Sequence, residues 1–374
     1  MNTDDLAWMN LALAEAYRGR GAVEPNPLVG AVLVREGKLV GKGHHAHFGG
    51  PHAEVMALHD AGEAARGATL YVTLEPCCHH GKTPPCTDAI VSSGIKRVVA
   101  AIRDPFPRVH GSGLAILRSA GIDVDLGLHS EAAALINAPY LKRISTGLPY
   151  VTAKWAMTLD GKTAVASGNS KWISSPASRG LVHQLRGQMD AIAVGIGTVL
   201  ADDPLLSARP PGPRTALRIV LDSKAVLPLS SQLVETVGQI PVLVATTAQA
   251  PPDRCEALRH RGCELIVFGQ GRHVPVLDLL AELGRRDMTN LLVEGGGKVL
   301  GAFLEAGQVD AVDAFIAPIL EGGDHPYTPA RGTGAASMSV AARLQGVSFS
   351  EVDGDLRVRG ILPQPWRSIL GELT

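Results

Sequence analysis

The sequence is short of most features that mark a specialised class of protein. Its 374 residues hold 35 Lys and Arg against 36 Asp and Glu, a formal charge of -1 with histidine neutral. That balance lacks the basic footprint that holds a long stretch of nucleic acid. Aromatic residues make up only 4%, so packing falls to Leu, Val, Ile and Ala. No apolar run approaches the roughly 18 residues of a membrane-spanning helix. The acidic start, Met1-Asn-Thr-Asp-Asp-Leu-Ala-Trp8, has no basic segment leading into an apolar one, as a secretory signal would. A soluble, cytoplasmic protein with no membrane partner is expected. No internal repeat or low-complexity tract interrupts the chain. Charged residues at 19% and hydrophobic residues at 45% exclude a disordered chain and supply a core.

Cysteine is also scarce, and its placement is uneven. Of five cysteines, Cys77, Cys78 and Cys86 fall close together while Cys255 and Cys263 stand apart. An odd number in a chain without an export signal argues against a disulfide framework, whereas a tight cluster points to a metal or catalytic site.

At roughly 150 residues per domain, the length suggests two domains, or three. The first third alternates helical and strand signals. Leu6, Met9, Leu13 and Tyr17 give a helical spacing over residues 4–18, and strands are expected at 28–34 and 38–43, joined across Glu36-Gly37 as a hairpin. Further strands are expected at 68–74 and 97–102, with helices at 52–61, 87–93 and 113–120. After residues 145–150 the pattern restarts. Strands are expected at 150–156, 191–194, 217–221, 241–245, 264–268, 290–293 and 311–317, and helices at 176–188, 276–283 and 298–306. Both parts read as layered α/β units, with domains at 1–147 and 148–374.

The first part carries a zinc-type constellation. His52-Ala-Glu54 opens a helix, Glu75-Pro76-Cys77 follows a strand, and Cys86 comes nine positions later. A catalytic zinc commonly takes three protein ligands and keeps a fourth position for water, and His52, Cys77 and Cys86 can supply the three. Glu54 is then spaced to shuttle a proton without binding the metal. Zinc nucleobase deaminases combine His-x-Glu with Pro-Cys-x-x-Cys; here the second interval is longer and holds Cys78-His-His-Gly-Lys-Thr-Pro-Pro85. Cys78, His79 and His80 remain alternative ligands. A structural zinc would need a fourth protein ligand and would leave Glu54 without a task. Asn26, in Pro25-Asn-Pro-Leu-Val-Gly30, reads either as turn chemistry or as an amide for the edge of a heterocycle.

The second part offers two glycine-bearing strand ends, Gly195-Ile-Gly197 and Glu294-Gly-Gly-Gly297. Backbone amides at such a helix start can hold a phosphate. Neither matches the Gly-x-Gly-x-x-Gly fingerprint of a Rossmann domain.

Taken together, these segments resemble the bifunctional riboflavin-biosynthesis deaminase–reductases. The resemblance rests on Pro25-Asn-Pro-Leu-Val-Gly30, Pro51-His-Ala-Glu54 and the run Thr73-Leu-Glu-Pro-Cys-Cys-His-His-Gly-Lys-Thr-Pro-Pro-Cys86. Lys154-Trp-Ala-Met-Thr-Leu-Asp-Gly-Lys162, Gly195-Ile-Gly-Thr-Val-Leu-Ala-Asp-Asp-Pro204 and Val293-Glu-Gly-Gly-Gly297 extend it over nearly the whole chain. It implies an N-terminal cytidine-deaminase-like domain that deaminates a diaminopyrimidinone ribosylamino phosphate. It further implies a C-terminal dihydrofolate-reductase-like domain that reduces the ribosyl group to ribityl with NADPH. Small phosphorylated pyrimidines would be the partners, with no nucleic acid, and a homo-oligomer is compatible with it.

Residue by residue, the resemblance makes His52, Cys77 and Cys86 the Zn2+ ligands, Glu54 the proton donor and acceptor, and Asn26, His45 and Lys82 deaminase substrate contacts. It makes Ala156, Trp172, Thr198, Asp202, Ser223 and the run Gly296, Gly297, Lys298, Val299, Leu300, Gly301 and Ala302 the NADPH contacts. Ser170, Arg186, Leu206, Arg209 and Glu294 fall around the ribose phosphate, with two arginines suited to a dianion. Lys154 and Asp160 would orient the opened sugar. Two departures stand out: Cys78 replaces the usual serine, and Phe106 replaces the usual asparagine and receives no binding role. The alternative is a nucleoside or tRNA deaminase with an unrelated second domain, or a zinc-stabilised binding protein.

Overall fold

The structure, a computed structural model, describes residues 3–81 and 84–374. The chain divides into two compact units: residues 1–147 together with 365–374, and residues 148–364.

In the first unit, β1 (Gly30–Arg35) and β2 (Lys38–His44) pair antiparallel. Glu36 and Gly37 between them both take positive φ, the geometry of a tight hairpin turn. β3 (Thr69–Val72), β4 (Arg97–Ala100) and β5 (Asp123–Leu126) complete a sheet of order β2-β1-β3-β4-β5, with β3, β4 and β5 parallel. α1 (Thr3–Tyr17) packs on β1. On the other face, Ala53 and Ala57 of α2 (Ala53–Ala61), Ile90 of α3 (Cys86–Ser92) and Leu114 and Leu117 of α4 (Ser112–Ser119) form a core with Ala31, Leu33, Leu70, Val72 and Val98. α5 (Ser130–Ile136) and α6 (Ala138–Thr146) close the unit.

The second unit is built on nine strands: β6 (Tyr150–Thr158), β7 (Ala191–Gly195), β8 (Leu217–Leu221), β9 (Val242–Thr246), β10 (Glu264–Val267), β11 (Asn290–Val293), β12 (Ala311–Ala317), β13 (Gln345–Val352) and β14 (Asp355–Ile361). Their order is β10-β9-β8-β7-β11-β6-β12-β14-β13, parallel from β10 to β12 and antiparallel at β14 and β13. β7, β9 and β11 are buried along their whole length, as expected of parallel strands covered on both faces. The connecting helices are α7 (Pro176–Arg186), α8 (Ile196–Asp202), α9 (Gln232–Glu235), α10 (Pro252–His260), α11 (Val276–Arg285) and α12 (Gly297–Glu305). Leu279, Leu280 and Leu283 of α11 with Leu300 and Phe303 of α12 fill one face, and Val199, Leu233, Val234 and Leu258 fill the other.

One boundary differs from the sequence reading. The second domain was expected to run to residue 374, yet residues 365–374 belong to the first unit. Trp366 and Leu373 are buried there, and Arg103 N donates to Leu373 O at 2.8 Å. A short apolar tail carries no periodicity that reveals which unit it covers.

Candidate active sites

In the first unit, chain geometry brings three soft and borderline donors together. His52 precedes α2 in extended backbone, Cys77 follows β3, and Cys86 opens α3. His52 Nδ1 lies 3.2 Å from Cys86 Sγ and 3.4 Å from Cys77 Sγ, and the three ligand atoms all lie within 4.8 Å of one another. Hydrogen bonds from Cys86 and His52 hold the Cys77 thiol far below its ordinary pKa despite burial. Hydrogen bonding to Cys77 and burial push the Cys86 thiol up. The Cys77 hydrogen bond raises the His52 pKa. One imidazole and two sulfurs suit Zn2+, and among the described residues no fourth side chain joins them, the open arrangement of a catalytic rather than a structural zinc.

Glu54 sits one residue inside α2, 3% exposed. Burial and the Cys77 charge raise its pKa to about 7, and Cys86 is its hydrogen-bond partner. Asn26 Nδ2 and His45 Nε2 are 3.0 Å apart, and His45 Nδ1 lies 2.9 Å from Pro51 O. Burial lowers the His45 pKa, so the neutral ring donates from Nδ1 to Pro51 and accepts from Asn26. The His45 and His52 rings meet edge to face at 5.4 Å. Asn26, His45, His52 and Glu54 are therefore neighbours. Lys82 lies outside the described residues. Cys78 points elsewhere, donating to Arg108 O at 3.5 Å, and Phe106 packs beside His79 with ring centroids 5.6 Å apart.

Two supporting residues escaped the sequence reading. Glu75, buried behind Cys77, accepts from Asp104 N, Gly111 N and Leu114 N at 3.2, 2.8 and 3.2 Å. It fixes the loop between β4 and α4 under the metal ligands. Asn137 accepts from Leu28 N at 2.8 Å and donates to Leu28 O at 3.0 Å, clamping the Asn26 loop as a neighbouring strand would. Glu75 stood in the Glu-Pro-Cys motif but carried no signal of its own; Asn137 is 109 residues from its partner.

In the second unit the glycine loops meet. β7 and β11 are parallel neighbours, and Gly195 N donates to Gly295 O at 2.9 Å. α12 begins beyond Gly296 with no side chain capping it, and a Cβ on Gly296 would stand 3.1 Å from Thr198 Oγ1. A loop this close-fitting with uncapped amides suits the phosphates of a dinucleotide such as NADPH. Gly296, Gly297, Lys298, Val299, Leu300, Gly301 and Ala302 form that loop and the first turns of α12. Ser170 Oγ donates to Asp202 Oδ1 at 2.8 Å, at the end of α8. Ala156 lies on β6, Ser223 follows β8, and Trp172 is 68% exposed with the Arg179 guanidinium 4.4 Å from its ring.

Arg186 and Glu294, both expected around the ribose phosphate, pair with each other. Arg186 Nε and Nη2 donate to Glu294 Oε1 and Oε2 at 2.6 and 2.7 Å, so its two-pronged edge is already occupied. Burial disfavours the Glu294 charge, but Arg186 outweighs it and holds the carboxyl below its ordinary 4.5. Arg186 Nη1 and His183 Nδ1 both contact Ser207 O, at 3.3 and 3.1 Å, tying the pair to the loop of Leu206, which is buried with positive φ, and Arg209, which is exposed. Asp160 is spoken for too: it accepts from Thr158 Oγ1 at 2.6 Å and Gly322 N at 2.6 Å. Those bonds pin the turn that follows β6.

The fold and the sites define a two-unit enzyme, a zinc-dependent deaminase joined to a nicotinamide-dependent reductase. The cytidine and deoxycytidylate deaminase zinc-binding region matches residues 2–102, and the RibD C-terminal domain matches residues 149–358. The riboflavin biosynthesis protein RibD of Aquifex aeolicus is 46% identical over 319 residues, 85% of this chain and 88% of that one. That of Actinobacillus pleuropneumoniae is 41% identical over 362 residues, 96% of each. Among solved structures, Acinetobacter baumannii RibD is 38% identical with a TM-score of 0.84, covering 96% of this chain and 99% of that one. The Thermotoga maritima protein is 36% identical with a TM-score of 0.83 and the same coverage. The chain belongs to the RibD family of riboflavin biosynthesis, deaminase–reductases that use Zn2+ and NADPH. An unrelated second domain is thereby set aside.

Proposed function

We infer that the chain hydrolyses the amino group from a diaminopyrimidinone ribosylamino phosphate, releasing ammonia, and then reduces the ribosyl group to ribityl. These are the two activities by which the Thermotoga maritima protein is described. The observation that carries the reading is the cluster of His52, Cys77 and Cys86 within 4.8 Å, with buried Glu54 beside it. Zinc bound to those three side chains would lower the pKa of a coordinated water towards about 7. Glu54 receives a proton at a carboxylate oxygen and returns it to the departing amino nitrogen, and its burial keeps bulk water from competing. Asn26 and His45 offer polar atoms to the ring edge, and Lys82 is assigned to the substrate phosphate.

For the reduction, NADPH supplies the hydride, and the protein positions and orients. We assign the cofactor to the edge formed by Gly296–Ala302 and Thr198, with Ala156, Trp172, Asp202 and Ser223 around it. The sugar phosphate is assigned to Ser170, Leu206 and Arg209, while Arg186 acts through Glu294. Half-buried Lys154 orients the sugar; its pKa is lowered by burial, against the pull of Glu294. The near-balanced charge supports small cytoplasmic substrates over nucleic acid. The deciding experiment combines a metal assay with ammonia release, with and without NADPH. Zinc near one per chain, ammonia released without NADPH, and NADPH oxidised only after deamination are expected. Full activity in metal-free protein would refute the deaminase assignment.

A further inference from the structure

The sheet of the second unit carries a row of charges across its central strands. Side chains alternate between faces along a strand, and Val151, Ala153, Leu291, Val293, Val312 and Ala314 all belong to one apolar core. Lys154 of β6, Glu294 just beyond β11 and Asp313 of β12 therefore share the opposite face. Asp313 stands beside Lys154 in register, and Val293 stands beside Ala153. Glu294 thus comes next to Lys154 on its other side. The order across the strands is carboxylate, ammonium, carboxylate.

Each carboxylate is gripped by an arginine. Arg186 of α7 holds Glu294 through two hydrogen bonds. On β14, Arg357 Nε and Nη2 donate to Asp313 Oδ1 and Oδ2 at 2.8 and 2.6 Å. Asp313 is buried and Arg357 half-buried, and two-pronged pairs of this kind fix position as well as charge. The Phe315 ring, two residues along β12, lies 5.8 Å from Lys154 Nζ and 5.3 Å from the Arg357 guanidinium. With both carboxylates engaged in this way, Lys154 forms no ion pair of its own among the described residues. Its three N–H donors stay available to a bound sugar.

Burial lowers the Lys154 pKa; the Glu294 and Asp313 charges oppose that shift, and Arg186 adds to it. The remaining charged groups on this face are His183 of α7, which acts on Glu294, and Arg359, exposed on β14 opposite Asp313. We propose that Asp313 is a positioning residue for the reduction, supporting the Lys154 ammonium from the side opposite Glu294 while Arg357 keeps it from closing on that ammonium. The proposal rests on the reading of Lys154 as the group that orients the sugar, and deepens it. A carboxylate released by its arginine would take the lysine's donors away from substrate. A neutral side chain at position 313 would leave the ammonium less supported.

The test is the pH profile of kcat for NADPH oxidation by the full chain, with the deaminated intermediate supplied. An ammonium that orients the sugar gives an alkaline limb as it loses its proton. Asp313→Asn removes a charge that favours the ammonium, so the limb should move down by about one pH unit. Arg357→Gln unmasks that same charge, so the limb should move up by about as much, and kcat on the plateau should fall. In the double variant both charges are gone and two amides can pair, so the limb should return close to its wild-type position. That variant also guards against misfolding of a single variant left with one unpaired charge, and thermal melting checks each. A merely structural pair would lower the melting temperature in all three without moving the limb in opposite directions. Opposite shifts with return in the double variant support the proposal, and any other pattern among folded variants overturns it alone. Wild-type protein that oxidises no NADPH with the intermediate overturns the reductase reading, and the proposal with it.

Discussion

Glu54 and Arg186 are the residues at which the two chemistries can be separated. Glu54→Gln keeps the shape of the side chain and removes the proton relay, so zinc content should hold. Ammonia release should fall by about 10²–10⁴-fold, while the deaminated intermediate, supplied directly, is still reduced with NADPH. Arg186→Ala does something different, because Arg186 and Glu294 form a half-buried, doubly hydrogen-bonded pair. Removing one partner leaves a shielded carboxylate without its counter-charge and should cost about 1–3 kcal/mol of stability, read by denaturant titration. The paired carboxyl ionises more readily in the folded state than in the unfolded chain. Its contribution is therefore complete at neutral pH and lost as pH falls below 4.5 and through the lower folded value. Glu294→Gln should flatten that acid limb. The metal triad was legible in sequence because its spacing is local and its chemistry unambiguous. The Arg186–Glu294 pair was not, since 108 residues separate its members and either one alone reads as surface charge.

Among the elements, α12 shows how closely one helix can be seated. A Cβ on Gly301 would fall 1.6 Å from Arg331 O, so the helix and the 328–331 segment touch backbone to backbone. Gly301→Ala must push them apart, at about 1–3 kcal/mol. It should also weaken NADPH binding through displacement of the first turn. Thermal melting and nucleotide titration check the two effects separately, and an unchanged melt would deny the contact. Strands such as β8, β11 and β12 were readable because buried parallel strands are runs of apolar residues. β13 is exposed along almost its whole length, so it has no apolar face to alternate against, and it and β14 went unseen. α6 was also missed, because Pro139 at its first turn resembles a linker although proline suits that position.

For the molecule as a whole, residues 365–374 tie the end of the described chain to the deaminase unit. Removing them uncovers the sites of Trp366 and Leu373, and burial of a large apolar side chain contributes about 1.5–3 kcal/mol. Deletion should therefore lower the melting temperature of the zinc unit while NADPH affinity stays near wild type. Loss of NADPH binding with an unchanged zinc unit would contradict the division.

That returning segment also governs the order of events during synthesis. The deaminase unit is assembled from two stretches of chain, with the reductase encoded between them. Its last pieces leave the ribosome only after the reductase has been translated. A gene divided at residue 147 would thus yield a reductase carrying a foreign tail and a deaminase missing part of its cover.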